Sequence, residues 1–147
     1  VTGDPGEASR SVWLTRSTDG GASFAPETAA WSEPTGACGC CGMRMLAGPG
    51  RLHLLYRSAT QQINRDVFAL LSTDRGQTFT GARVHEWDIN ACPMTSMSLA
   101  ASGKRVLAAW ETDGQVFFKD LTGSPAAAPQ APADRPIAAS VCVGFNR

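Results

Sequence analysis

The chain has 147 residues, 43% of them hydrophobic, with 13 Lys plus Arg against 13 Asp plus Glu. That apolar share supports a packed core and argues against wholesale disorder. Balanced charge without a basic run argues against nucleic acid as the main partner and against an electrostatic membrane anchor, and no apolar stretch approaches the roughly 18 residues of a spanning helix.

The chain starts at Val1, with no charged segment leading into an apolar one, so either a leader has been removed or the sequence is a fragment. Helical periodicity with caps at both ends is missing. Short runs rich in Val, Leu, Phe, Tyr and Trp, broken by Gly, Pro, Asp and Ser, predict strands at 11–16, 27–31, 51–57, 66–72, 82–87, 96–100, 106–112 and 115–119. Such residues pack well on a pleated surface, and the fold class expected is all-β. Residues 123–136, rich in Ala and Pro, read as a loop or linker.

An internal repeat is the strongest signal. Ser17-Thr18-Asp19-Gly20-Gly21-Ala22-Ser23-Phe24 recurs, one blade-sized interval later, as Ser72-Thr73-Asp74-Arg75-Gly76-Gln77-Thr78-Phe79, with five identical positions of eight. Each octet lies between two predicted strands and reads as a stapled hairpin. The Asp carboxylate (Asp19, Asp74) accepts from turn N–H groups, and the Ser hydroxyl (Ser17, Ser72) adds a local bond. The Gly (Gly21, Gly76) takes positive φ freely, and the Phe (Phe24, Phe79) is expected to anchor the turn in the core. A third copy around residues 120–123 is degenerate.

These octets resemble the Asp boxes of sialidase-like β-propellers. The resemblance covers residues 11–119 and implies four-stranded antiparallel blades whose third and fourth strands are joined by the box. It divides the chain into the outer half of a blade (1–35), a complete blade (36–90, its strands running over about 43–87) and a third blade (91–147) interrupted by the Ala/Pro-rich loop. A propeller closes with about four to eight blades, so the expectation is an incomplete ring, finished by more of the same chain or by another. Cys38-Gly39-Cys40-Cys41, Tyr56-Arg57, Asn64-Arg65-Asp66 and Cys92-Pro93 together resemble a group of exported Asp-box proteins labelled sialidase-like, which implies an extracellular or periplasmic location.

Cys38 follows Phe24 at nearly the interval by which Cys92 follows Phe79, and Cys142 comes close to a further blade length after Cys92. On the blade reading these are equivalent positions before innermost strands, so distant cysteines converge. Five cysteines favour an oxidising compartment. One reading is disulfide staples between blades, with one of Cys38, Cys40 and Cys41 paired to Cys92, at least one thiol left over, and Met43, Met45, Met94 and Met97 filling core gaps. The other is a thiolate/thioether site using Met43 and Met94, for which copper or zinc is the fitting ion. The Cys-Gly-Cys-Cys order matches no common zinc spacing, and no cofactor is otherwise expected. His53 and His85 sit on predicted strands and read as satisfied residues rather than ligands.

The polar loop 57–66 joins two strands of the complete blade. The resemblance implies Asp66 as acid/base, with Arg57 and Arg65 binding a substrate carboxylate, as sialidases do. Read without the resemblance, the same residues are an Arg–Asp pair that holds the loop, and Glu111 is a solvated strand end. The F-R-I-P motif of sialidases is missing, and Tyr56, the only tyrosine, does not match their nucleophile. Three functions follow: a module binding a glycan or protein through the 57–66 loop, a sialidase-like exo-glycosidase completed by further blades, and a copper-handling module.

Overall fold

A computed structural model describes residues 6–123. These form nine strands in three antiparallel sheets. Sheet one pairs β1 (Trp13–Leu14) with β2 (Thr28–Ala29). Sheet two is a meander of β3 (Arg44–Gly48), β4 (Arg51–Arg57), β5 (Val67–Ser72) and β6 (Thr80–His85). Sheet three contains β7 (Met97–Ser102), β8 (Arg105–Thr112) and β9 (Gln115–Asp120). In each sheet every strand pairs with its neighbour in sequence. Two 3-10 turns, Glu7–Ser9 and Thr60–Gln62, are the only helical elements among the described residues. The chain is thus all-β there, and no helix among the described residues is long and apolar enough to cross a membrane.

The expected strands recur, with two differences. The runs at 11–16 and 27–31 shrink to two-residue strands, because neither gains a second neighbour in its sheet. Strand β3 is absent from the runs read from composition, although the blade reading has its strands begin at about 43. Its sequence Arg-Met-Leu-Ala-Gly is poor in strong β-formers, and it forms by pairing along its whole length with β4. Residues 124–136 of the Ala/Pro-rich stretch, and the rest of the third unit as far as 147, lie outside the described residues.

The middle sheet holds the molecule together because both of its faces are covered. Side chains alternate across a strand, so β4 sends Leu54 and Tyr56 one way and Leu55 and Arg57 the other. Leu54, Tyr56 and Leu70 join Ala30, with Val12, Leu14, Trp31, Phe68 and Phe79 packed around them. On the opposite face Leu55, Val67, Ala69 and Val84 meet Met97, Ala108, Trp110 and Leu121 of the third sheet and its margin. Two-sided burial explains why β4 reads Leu-His-Leu-Leu-Tyr without a polar alternation, and why every residue from His53 to Arg57 is buried.

The phenylalanine anchor holds in only one octet. Phe79 packs in the cluster shared with sheet one. Phe24 is 63% exposed, a correction to the expected core anchor. Its hairpin belongs to the outermost pair of short strands, and nothing among the described residues covers it. The residue before the first octet nevertheless reaches the second, since Arg16 Nη1 donates to the Gly76 carbonyl at 2.7 Å.

Candidate functional site

Both octets are built alike. In the first, Ser17 Oγ accepts from Gly21 N at 2.8 Å and donates to Asp19 Oδ1 at 2.7 Å, while Asp19 Oδ1 accepts from Ser23 N at 2.9 Å. In the second, Ser72 Oγ accepts from Gly76 N at 2.7 Å and donates to Asp74 Oδ1 at 2.7 Å, which accepts from Thr78 N at 2.9 Å. Left-handed backbone recurs at the same two places, Gly20/Gly21 and Arg75/Gly76. Hydrogen bonds from Ser23 and from Thr78, respectively, hold the Asp19 and Asp74 carboxyls far below the usual carboxylate range. Both carboxylates are therefore committed to their own turns. The degenerate copy at 120–123 differs: Asp120 Oδ1 accepts from Thr122 N at 2.9 Å, a shorter local turn than the octets make.

The 57–66 loop brings Arg57, Arg65 and Asp66 together but gives them different tasks. Arg57 is 1% exposed. Its Nε donates to Thr95 Oγ1 at 2.7 Å, Nη1 to the Arg65 carbonyl at 2.5 Å, and Nη2 to Thr112 Oγ1 at 3.0 Å and to the Glu111 carbonyl. The guanidinium also lies 4.9 Å from the centre of the Trp87 ring. Burial pushes its pKa down to about 10, against the pull of Glu111 and Asp66, so it stays charged at neutral pH. It works as a bolt between sheets two and three. Arg65 is buried too. Its Nη2 pairs with Glu7 at 2.9 Å and its Nε donates to the Ala91 carbonyl at 3.2 Å. Its Nη1 has no acceptor.

Asp66 fits neither expectation fully. Oδ1 accepts from Trp87 N at 2.9 Å, and Oδ2 lies 3.4 Å from Arg83 Nη1. Its ion-pair partner is therefore Arg83, half exposed on β6, rather than an arginine of its own loop. Asp66 and Arg83 stand on the wall of a cleft of about 410 Å³ between sheets one and two. Trp31 and Phe68 supply an aromatic wall, and Thr35, Thr60, Asn64 and Glu33 add polar groups. The aromatic wall is fixed from below: Trp31 packs onto Gly81, where a Cβ would sit 2.8 Å from the indole ring. Tyr56 lies beneath the cleft with its hydroxyl 2.7 Å from Thr35 Oγ1, and burial pushes its phenol pKa up. Glu111 gives its carboxylate to Gly114 N at 2.6 Å, closing the β8–β9 turn.

The cysteines do converge. Cys38 is bonded to Cys41, and Cys40 to Cys92, whose Cα atoms are 7.3 Å apart at a sequence separation of 52. All four sulfurs lie within 4.8 Å of one another. The second bond ties the loop before β3 to the loop before β7, as a staple between consecutive sheets. Cys142 lies outside the described residues. The methionines divide: Met97 is in the core, while Met43, Met45 and Met94 are 49%, 58% and 75% exposed. The expected gap-filling role therefore holds for Met97 alone. The other three sit on loops or on the edge strand β3, where no second layer among the described residues covers them. His85 is satisfied as expected, its Nδ1 accepting from Trp110 Nε1 at 2.6 Å.

No family model, curated protein or solved structure matches the chain.

Three residues that organise this region carry no sequence signal. Glu7 accepts from Gly39 N at 2.8 Å and pairs with both Arg10 and Arg65. Trp31 stands in the sequence only as a strand end, and Arg83 only as a charged residue within a strand run. Each reaches the site from a separate part of the chain, so spacing could not point to it.

Proposed function

We propose that the chain is a stretch of an exported Asp-box propeller that binds carbohydrate in the cleft between its first two sheets. The observation that carries this reading is the cleft itself, with Trp31 and Phe68 on one side and Asp66, Arg83, Asn64 and Thr60 around them. Aromatic rings take the apolar faces of sugars, and a few convergent polar groups fix their hydroxyls. The propeller part of the reading is supported by the four-stranded meander, by an octet joining its third and fourth strands, and by a second octet in the preceding sheet. The stacking of three consecutive sheets face to face adds to it. Two disulfides are compatible with an extracellular or periplasmic setting.

Binding is preferred over sialoside hydrolysis because Arg57 and Arg65, the carboxylate-binding pair a sialidase would need, direct their guanidinium groups to internal acceptors. The test is calorimetric titration of the chain with neutral and sialylated oligosaccharides, alongside turnover of a fluorogenic sialoside. Binding that falls at least tenfold in Arg83→Ala, an exposed position that leaves the core intact, is the expected result. No binding to any glycan, or binding indifferent to Arg83→Ala and Trp31→Ala, overturns the reading. Turnover abolished by Asp66→Asn would replace it with the hydrolase.

A further inference from the structure

Four sulfurs gathered from two loops form a group that neither the cleft nor the octets use. We infer that, once its two disulfides are reduced, this group is a closed tetrathiolate site for a soft d10 cation, zinc being the ion it fits. The ligands are Cys38, Cys40, Cys41 and Cys92. Their sulfurs lie within 4.8 Å of one another, and those of Cys38 and Cys40, which are not bonded to each other, are already 3.6 Å apart. Zinc with Zn–S bonds of about 2.3 Å requires sulfurs about 3.8 Å apart at the corners of a tetrahedron. No pair is therefore more than about 1 Å too far apart, and the two bonded pairs separate when reduced. No residue from elsewhere has to be brought in.

The surroundings suit the charge such a site would carry. Four thiolates and one divalent ion leave a net double negative charge, which needs cations and N–H donors near it. Arg10 lies against Gly39 and Arg44 against Gly42, where an added Cβ would meet Arg44 Nη1 at 3.0 Å. Arg65 holds the carbonyl of Ala91, the residue before Cys92, and through Glu7 is linked to the N–H of Gly39. Its Nη1 is the one buried guanidinium nitrogen among the described residues without an acceptor. The exposed thioethers of Met43 and Met94 are not required, which favours zinc over a copper site built on thioether ligands. The unusual Cys-x-Cys-Cys order is no obstacle, because one loop already presents three of the sulfurs while the fold delivers the fourth.

The chemistry balances. Each disulfide is reduced by one phosphine and one water, the phosphine giving two electrons and taking the water oxygen as its oxide while the water's two protons go to the sulfurs, so the two disulfides yield four thiols. The ion then displaces four protons to solvent and forms four metal–sulfur bonds. Either state joins the loop before β3 to the loop before β7, so sheets two and three stay tied in both. The inference is independent of the carbohydrate reading, whose cleft lies at the other joint.

The test uses the full chain carrying Cys142→Ser, so that only the four clustered cysteines remain. It is reduced anaerobically with a phosphine, which is oxidised to its oxide, and titrated with zinc and separately with cobalt as a spectroscopic probe. Binding of one equivalent is expected, with the ligand-field bands of tetrahedral tetrathiolate cobalt and the far-ultraviolet signature of the oxidised β-protein. At least a hundredfold weaker binding is expected for Cys92→Ser and for Cys40→Ser. A reduced chain that stays folded yet binds no stoichiometric zinc overturns the inference. So does cobalt binding that survives both substitutions. If reduction unfolds the chain, refolding on addition of zinc supports the site, and failure to refold or bind counts against it.

Discussion

The two joints that flank the middle sheet differ in kind. The joint with sheet three is closed: an apolar cluster of eight buried residues is crossed by the Arg57 bolt, the His85–Trp110 hydrogen bond and the Cys40–Cys92 disulfide. The joint with sheet one has four buried residues at its centre, and beside them it opens into the cleft of Trp31 and Asp66. Arg16, just before the first octet, is linked across this joint to Gly76 of the second. One joint is closed and cross-linked, and the other leaves aromatic and polar groups lining a cleft. Binding groups belong where a rigid scaffold stops covering them, which is why the proposed glycan site is placed at the open joint.

Removing the bolt should break the comparison most severely. Arg57→Met leaves the Arg65 and Glu111 carbonyls and Thr112 without their donor, and buried unsatisfied groups cost about 1–3 kcal/mol each. A loss of about 3–5 kcal/mol in urea unfolding is expected on that basis, against at most about 1 kcal/mol for Arg16→Ala at the open joint. Equal losses would mean the joints do not differ. Next, Cys40→Ser with Cys92→Ser opens a loop whose ends have a sequence separation of 52 and should cost about 2–4 kcal/mol, read as a lower thermal midpoint.

A change confined to the open joint should be smaller. Gly81→Ala sets a methyl 2.5 Å from Leu70 Cδ2 and 2.8 Å from the Trp31 indole, so both must shift, and is expected to cost about 1–3 kcal/mol, the usual range for overpacking. It should also alter glycan titration at the cleft while leaving the Cys40–Cys92 link intact. Trp31 fluorescence that is unchanged in this variant would argue against the packing described.

Acid should sharpen the contrast with two separate windows. Burial first, and Arg57 second, lower the His85 pKa, and its Nδ1 must be unprotonated to accept from Trp110. The folded state thus binds fewer protons than the unfolded one. The stabilisation is complete above the ordinary histidine value of about 6.5 and declines as pH falls from there through the lowered folded value. His85→Gln should flatten that part of the stability profile. The depressed Asp19 and Asp74 carboxyls act at lower pH. Their contribution is complete above about 4 and fades as pH drops below it through their folded values. Asp74→Asn should reduce this second window, leaving the Asp19 part of it, and leave the first unchanged. The smallest effect is expected at Arg75, whose φ of 61° matches the left-handed backbone of a glycine in the first octet; Arg75→Gly should stabilise by at most about 1 kcal/mol, read as a small rise in the thermal midpoint.

Some of this was legible before any coordinates. A Ser-x-Asp-x-Gly-x-Ser/Thr turn closes through bonds between near neighbours, so its chemistry is local and its repeat could be read directly. The strand runs were readable because two-sided burial leaves continuous apolar stretches such as 67–71, between Asp66 and Ser72. Strand β3 was not, since its residues have little strand preference and form one only against β4. The 57–66 loop stood out by composition, yet its inner division of labour did not. Whether an arginine meets Glu7, Asp66 or a row of carbonyls depends on partners that other strands and loops deliver.

The amino-acid order alone determined the all-β character, the two stapled turns and the regular placement of cysteines behind them, because each rests on contacts or intervals within short stretches of chain. Tertiary structure decided which phenylalanine is covered, which arginine bolts the sheets together, which cysteines join, and that Trp31, Asp66 and Arg83 share one cleft. Those outcomes depend on how one sheet lies against the next, and packing between sheets is set by side chains that have no fixed spacing along the chain.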